Sequence, residues 1–397
     1  MRIGAARVVN ILFCTLAYFP GITGGAERQA RLQAEELVRR GHHVTVVCAR
    51  TDGLDSATIN GVRVVRLRRI ERRRLFRLSY MVRLLLWLAR NGARYDLVHV
   101  HLANLQADIA VAAAHRRGQP AYVKVACGGA IGEVRRFAPM ARATRWYGLR
   151  HADRIQVISE EIRSELAAIG VSSARMVSIP NGIDLDEYHP LAPREKRRLR
   201  TELELPDEGT IVLFVGRLVE YKGIRDLLRA WEGVRDRHAT LVVVGATADE
   251  PLEAPADVLV RGWARSPLRY LQAADVFVHP SHADGMSNAV LEAMACGCAV
   301  VATAHGATRG FLTAEHDALL VPVSDPAALA GAIGRVVDDQ ALRERLAANA
   351  QASVQRYDLA RVVARIETEY QTLLASKGSS DERRSLARRV APAAGRD

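Results

Sequence analysis

Asp284 and Glu292 stand eight residues apart in the stretch Ser281–Gly297, SHADGMSNAVLEAMACG. From Ala289 to Ala295 every residue is apolar except Glu292. A helix that is apolar on all sides is a buried helix, and a buried carboxylate is costly unless something donates hydrogen bonds to it. Glu292 therefore needs a partner, either a protein group or the hydroxyls of a ligand. Just upstream, Asp284-Gly285 breaks the chain, and Met286, Ser287 and Asn288 open the helix with free N–H groups. Such a helix mouth seats phosphate or polar ligand groups. The residues alone leave two readings open: an N-capped helix with a satisfied core acid, or a ligand seat flanked by two acids.

A pair of cations lies earlier. Ile211–Val215 reads as a strand that ends in Gly216-Arg217, and Lys222 follows five residues later at the mouth of the next helix. In open α/β sheets ligands sit beyond the carboxyl ends of strands. Arg offers a bidentate fork and Lys a point charge, which together suit a diphosphate; two plain surface cations are the alternative. At the other end of the chain, Val8–Cys14 is an apolar run followed by a turn containing Gly24 and Gly25. A helix from Ala26 to about Arg40, Gly41 and the strand Val44–Cys48 come next. Strand, glycine turn, helix and strand open a doubly wound sheet. The two glycines let the backbone approach a ligand at the helix mouth, although a tight turn without a ligand would read the same. The spacing is not G-x-G-x-x-G, which disfavours a dehydrogenase.

The central stretch resembles the E-x7-E signature of retaining GT-B glycosyltransferases of family 4, whose members read EG-x5-LEAMACG-x-PV. Here Asp284 replaces the first acid and Gly285, Leu291–Gly297, Ala299 and Val300 follow. Gly216-Arg217 with Lys222-Gly223 is similar to the family's GR-x4-KG, whose cations bind the donor diphosphate. Pro180-Asn181-Gly182-Ile183-Asp184 resembles the turn that hands the first domain over to the second. Val258–Gly262 with Trp263 resembles the strand and turn that hold the nucleotide base through main-chain groups. The resemblance implies a GT-B fold of two Rossmann-like α/β domains facing each other across a cleft. It places Arg217, Lys222, Asp284 and Glu292 in catalysis. Gly24, Gly25, Gly216, Gly262, Trp263, Gly285, Met286, Ser287 and Asn288 join them in donor binding, with Glu292 on the ribose and Asp284 on the sugar. Many relatives carry a His where this chain has Ala126, so the acceptor side is read from His101, Lys124, Cys127 and Gly128, part of a K-x-A-x-x-G run. His99 and His101 share a sheet face and are equally readable as structural histidines. The implied activity is a retaining, metal-independent hexosyl transfer from a nucleoside diphosphate sugar, UDP favoured, to a glycan or lipid-linked acceptor in polysaccharide or cell-surface glycan biosynthesis. No cofactor is implied. A soluble acceptor, a sugar-nucleotide epimerase, a phosphorylase or an inactive binding module are the alternatives.

These motifs need two domains to position them, and 397 residues exceed what one core supports. The expected division is 1–185 for the acceptor and 186–375 for the nucleotide sugar. A helix near 359–375 returns to the first domain, and a disordered tail occupies 376–397. The sequence is 49% hydrophobic and 25% charged, as globular proteins are, with no spanning segment and no secretory signal expected. Five scattered cysteines point to a reducing, cytoplasmic setting, and Cys296-x-Cys298 lacks a second ligand pair for zinc. Residues 1–180 carry a net charge of +16 and the remainder −4, so the two halves face different partners. Residues 63–90 hold ten arginines against one acid, Glu71. The apolar, arginine-rich stretch Arg68–Arg90 reads as a basic amphipathic helix. It either packs on the sheet with a solvated basic face or lies peripherally on the anionic inner membrane face. Without a nucleic-acid motif beside the charge, no nucleic-acid partner is expected.

Overall fold

The computed structural model describes residues 7–21, 24–51, 53–68, 70, 75–129, 132–136, 147–246, 252–264 and 266–390. Short apolar runs that are buried on both faces form parallel strands, and two such sheets are present. The first contains β1 (Asn10–Cys14), β2 (His43–Ala49), β3 (Ala57–Ile59), β4 (Val62–Leu67), β5 (Leu97–His101), β6 (Ala121–Lys124), β7 (Arg154–Val157) and β8 (Met176–Ser178). Their order is β3-β4-β2-β1-β5-β6-β7-β8, parallel throughout except for β3, which pairs antiparallel with β4 at the edge. The sequence did not announce β3, a three-residue strand with no apolar run.

The second sheet contains β9 (Thr210–Val215), β10 (Ala239–Ala246), β11 (Val258–Gly262), β12 (Val276–His279), β13 (Ala299–Thr303) and β14 (Leu319–Val321). Its order, β11-β10-β9-β12-β13-β14, winds outward from β9 to one side and then to the other. The strand order reverses between β1 and β5 in the first sheet and between β9 and β12 in the second. Ligands of doubly wound sheets bind in the crevice at that reversal. Gly24 follows β1, Gly216 and Arg217 follow β9, and Asp284 follows β12. Both domains therefore turn their crevices to a shared cleft.

Each sheet is covered on both faces. In the first, Tyr80, Leu84 and Leu88 pack on one face, while Ala30, Ala34 and Leu37 of helix Gly25–Arg39 pack on the other. In the second, Val290, Leu291 and Met294 of helix Asn288–Ala295 bury against one face, and Leu227 and Trp231 of helix Ile224–Glu232 against the other. The last helix, Leu359–Val390, returns to the first domain. Its Leu359, Val362, Val363, Ile366, Tyr370 and Leu373, at helical spacing, join that domain's core. Glu367 adds a contact to His42 (3.1 Å) and Glu369 one to Arg154 (2.7 Å).

Two expectations change. Disorder from Ser376 onward does not hold through Val390, because the helix continues to that residue. Polarity by itself does not stop a helix, and the segment has one glycine, no proline and several good helix formers. The basic helix begins at Phe76 rather than Arg68 and ends at Asn91; Arg69 and residues 71–74 lie outside the described residues.

Candidate active site

A cavity of about 540 Å³ opens between the domains. The second domain lines it with Gly216, Arg217, Lys222, Trp263, Asp284 and Gly285, and with Met286, Ser287, Asn288 and Glu292 of the helix mouth and first turns. The first domain contributes Gly24, Gly25 and Arg28 on one side, and Lys124, Ala126 and Cys127 on the other. The residues singled out in two distant halves of the sequence thus meet at one place.

The second-domain charges are tightly organised. Lys222 Nζ lies 2.6 Å from Asp284 Oδ2, and His279 Nε2 is 3.4 Å from the same oxygen. Burial works against the Asp284 carboxylate, but the Lys222 ammonium and His279 hold it well below the usual carboxylate range. Asp284 Oδ1 also accepts from the Gly285 N–H at 2.9 Å, which fixes the turn. Arg217 donates to the Tyr221 hydroxyl, so the guanidinium is steadied beside Lys222.

Glu292 behaves differently. It is 2% exposed, and burial pushes its carboxyl up to about 7 while Arg28 pulls it back. Arg28 Nη1 reaches it from the first domain at 2.7 Å, and Nη2 of the same guanidinium donates to the Tyr188 hydroxyl. A lattice of amides fastens the domains together next to this pair. Asn181 Nδ2 donates to the Met286 carbonyl (2.8 Å) and to Asn288 Oδ1 (3.1 Å). Asn288 Nδ2 donates to the Gly25 carbonyl at 3.0 Å, and Gln29 Nε2 donates to Asn288 Oδ1 at 3.0 Å.

A helix mouth, two cations and a buried acid around a cleft can hold a nucleoside diphosphate with its ribose. A profile described as Glycosyltransferase Family 4 matches residues 23–187, and one described as Glycosyl transferases group 1 matches residues 209–339. The chain is a family 4 glycosyltransferase. It is 27% identical to an uncharacterized glycosyltransferase of Methanocaldococcus jannaschii, over 87% of this chain and 93% of that one. It is 28% identical to the D-inositol 3-phosphate glycosyltransferase of Corynebacterium jeikeium, over 81% of this chain and 85% of that one. Among solved structures, sucrose-phosphate synthase from Thermosynechococcus elongatus superposes with a TM-score of 0.79 at 24% identity, covering 93% of this chain and all of the other. Anabaena HepE, solved with UDP-glucose, gives 0.75 at 20%, covering 93% of this chain and 100% of its own. The fold of this family 4 glycosyltransferase is GT-B.

Three of the residues singled out from the sequence stand outside the cavity wall: His101, Gly128 and Gly262. Period-two alternation does put His99 and His101 on one face of β5, but that face is roofed by helices. His99 hydrogen-bonds the Tyr370 hydroxyl of the last helix at 2.5 Å. His101 is fully buried against the Phe13 ring, 5.1 Å between centroids, and burial pushes both imidazoles well below their ordinary value. Gly128 faces Ile162 instead.

Lys124 is fully buried at the cleft floor and donates to Asn181 Oδ1 at 2.8 Å. Burial lowers its ammonium to about 7, with Glu133 pulling the other way. Glu133 itself was not anticipated. Its carboxylate is buried and accepts from the N–H groups of Ala103 (2.5 Å), Ala126 (2.7 Å) and Cys127 (3.2 Å). Burial nevertheless pushes it up to about 7. It pins the loop that carries Ala126. Burial also pushes the Cys127 thiol up to about 12. Among the described residues, no group of three His, Cys, Asp or Glu is placed to hold a metal ion.

Proposed function

We propose that this glycosyltransferase moves a hexose from a nucleoside diphosphate sugar, UDP-linked, to a glycan or lipid-linked acceptor, with retention of anomeric configuration and without a metal ion. The observation that carries this reading is the convergence of Arg217, Lys222, the Met286–Asn288 helix mouth and Glu292 on one cavity. The two cations take the diphosphate and stabilise the negative charge that grows on it as the glycosidic bond breaks. Such preorganised charge acts where the transition state differs most from the ground state. Glu292 takes the ribose hydroxyls, and Asp284, kept ionised by Lys222, takes the sugar. That HepE was solved with UDP-glucose favours uridine as the base.

The acceptor reading rests on helix Phe76–Asn91. Tyr80, Met81, Leu84 and Leu88 are buried on the sheet, whereas Leu78 (61% exposed), Val82, Leu85 and Leu86 face outward. Arg83 and Arg90 are exposed beside them. The helix thus packs on the sheet and still presents an apolar, cationic outer face, which fits the interface of an anionic bilayer on the cytoplasmic side. No helix among the described residues is long and apolar enough to cross a membrane. A soluble, anionic acceptor is the second reading. It is favoured by Arg31 and Lys124 in the first-domain wall and by a relative whose name specifies a phosphorylated inositol.

Proton NMR of the sugar released from UDP-glucose, with water as surrogate acceptor, tests the reaction. The first-formed product carries the α-anomeric signal and turnover is unchanged by EDTA. A β-anomeric first product contradicts retention.

A further inference from the structure

Glu292 sits in a helix whose other buried residues, Val290, Leu291, Ala293, Met294 and Ala295, are all apolar. The cation that touches its carboxylate comes from the opposite domain: Arg28 of helix Gly25–Arg39, at 2.7 Å. Tyr188 steadies this arginine twice, its hydroxyl accepting from Nη2 and its ring lying 5.4 Å beneath the guanidinium. The other titratable groups facing Glu292 are Glu187 and Tyr188 from the segment after β8 and Cys296 at the end of its own helix. None of them is a cation. Among the described residues, no lysine or arginine of the second domain pairs with Glu292.

We propose that Arg28 is a positioning residue for donor binding: reaching across the cleft, it holds Glu292 ionised and aimed into the cavity, so that the first domain completes the second domain's ribose site. This rests on the reading of Glu292 as the ribose-binding acid. An ionised carboxylate accepts a charge-assisted hydrogen bond from each ribose hydroxyl. A protonated one loses that charge and one acceptor. Burial and Glu187 both push the Glu292 carboxyl up, and Arg28 opposes them. Removing the guanidinium leaves the upward influences alone, and the acid stays protonated to a pH well above the wild-type midpoint of about 7. An opposite charge at contact distance is worth about 1–3 pH units to a carboxyl. Closure of the two domains and the charge on Glu292 thereby become one event.

The test is calorimetric titration of the full chain with UDP, ADP and GDP from pH 6 to 9.5. It compares wild type with Arg28→Met, Arg28→Lys and Glu292→Gln. The titration of the nucleotide's own phosphate is common to all four proteins and cancels in the comparison. For whichever nucleotide binds, wild-type affinity weakens as the pH falls below about 7. Arg28→Met binds about tenfold more weakly at pH 7 and recovers towards pH 9.5, its midpoint having moved upward. Arg28→Lys keeps a midpoint near that of wild type, and Glu292→Gln has no such limb. Should Arg28→Met not fold, Arg28→Gln supplies the same comparison. An arginine variant weakened by one constant factor at every pH, with the wild-type midpoint, overturns the role of Arg28 and leaves the donor reading standing. Unaltered affinity in Glu292→Gln, or no binding of any of the three nucleotides, overturns the donor reading and this inference with it.

Discussion

The carbonyl oxygen of Ala126, in the first domain, occupies the place where a side chain on Gly285, in the second, would begin: a Cβ built there lies 2.2 Å from it. The oxygen has little room to retreat, because Glu133 holds the Ala126 and Cys127 N–H groups. Gly285 is therefore required by the closeness of the two domains rather than by its backbone angles.

Gly285→Ala must push the domains apart or distort the pinned loop. Overpacking of this kind destabilises by about 1–3 kcal/mol. Thermal unfolding should show a fall of several degrees, and sugar transfer should drop more than tenfold as the cleft residues separate. An unchanged melting temperature together with unchanged turnover would mean that the domains do not meet at this point.

Lys222 and Asp284, 2.6 Å apart, make a second prediction. Hydrogen bonds to charged groups are worth about 1.5–3 kcal/mol, so Lys222→Ala should weaken nucleoside diphosphate binding by roughly 10- to 100-fold. It also removes the cation that holds Asp284 low, so Asp284 becomes protonatable at a higher pH and activity is lost further on acidification. A dissociation constant equal to that of wild type would remove Lys222 from the diphosphate site.

How far the sequence discloses the site follows from where its partners lie. Arg217, Lys222 and Asp284 are legible because each sits in a short motif on a turn that follows a strand, and Glu292 because of the helix around it. The sole charge in an apolar helix is itself a signal. The partner of Glu292 is not legible, since nothing in the run GAERQARLQ marks Arg28 as the arginine that crosses the cleft. Glu133 reads as one charge in the polar run EVRR, and only the folded loop shows it accepting three backbone N–H groups. For His101 the alternation of β5 fixes which residues share its face. Which elements roof that face depends on the last helix, far along the chain. The fold as a whole is more legible, because parallel strands buried on both faces are written as plain apolar runs.

Lys124 offers a test in stability. Its ammonium falls from an ordinary 10.5 to about 7 in the folded protein. Below about 7 it is charged in both states and its burial costs stability. Between about 7 and 10.5 the unfolded chain binds more protons than the folded one, so stability rises with pH. Relative to Lys124→Met, wild type should gain up to about 1.4 kcal/mol per pH unit in that window, measured by urea unfolding at pH 7, 8, 9 and 10. Parallel curves for the two proteins would show that the lysine is not held in a low-dielectric site.

The outer face of helix Phe76–Asn91 predicts salt-sensitive binding to vesicles. Sedimentation with liposomes rich in phosphatidylglycerol should carry the protein down at low ionic strength and release it as salt screens the arginines. Leu78→Ser with Leu85→Ser should lower the bound fraction several-fold without altering the melting temperature, because both side chains are exposed. Failure to sediment at low salt would leave the soluble acceptor as the better reading.

The central claim is that the second-domain half of the cleft is a nucleoside diphosphate site, and thermal unfolding against UDP, GDP, ADP and NAD tests it most directly. A ligand present at about a hundred times its dissociation constant adds roughly 2.7 kcal/mol to the native state, a readable shift. Stabilisation by UDP alone, abolished in Lys222→Ala, is the predicted result; stabilisation by NAD, or by none of the four, would contradict it.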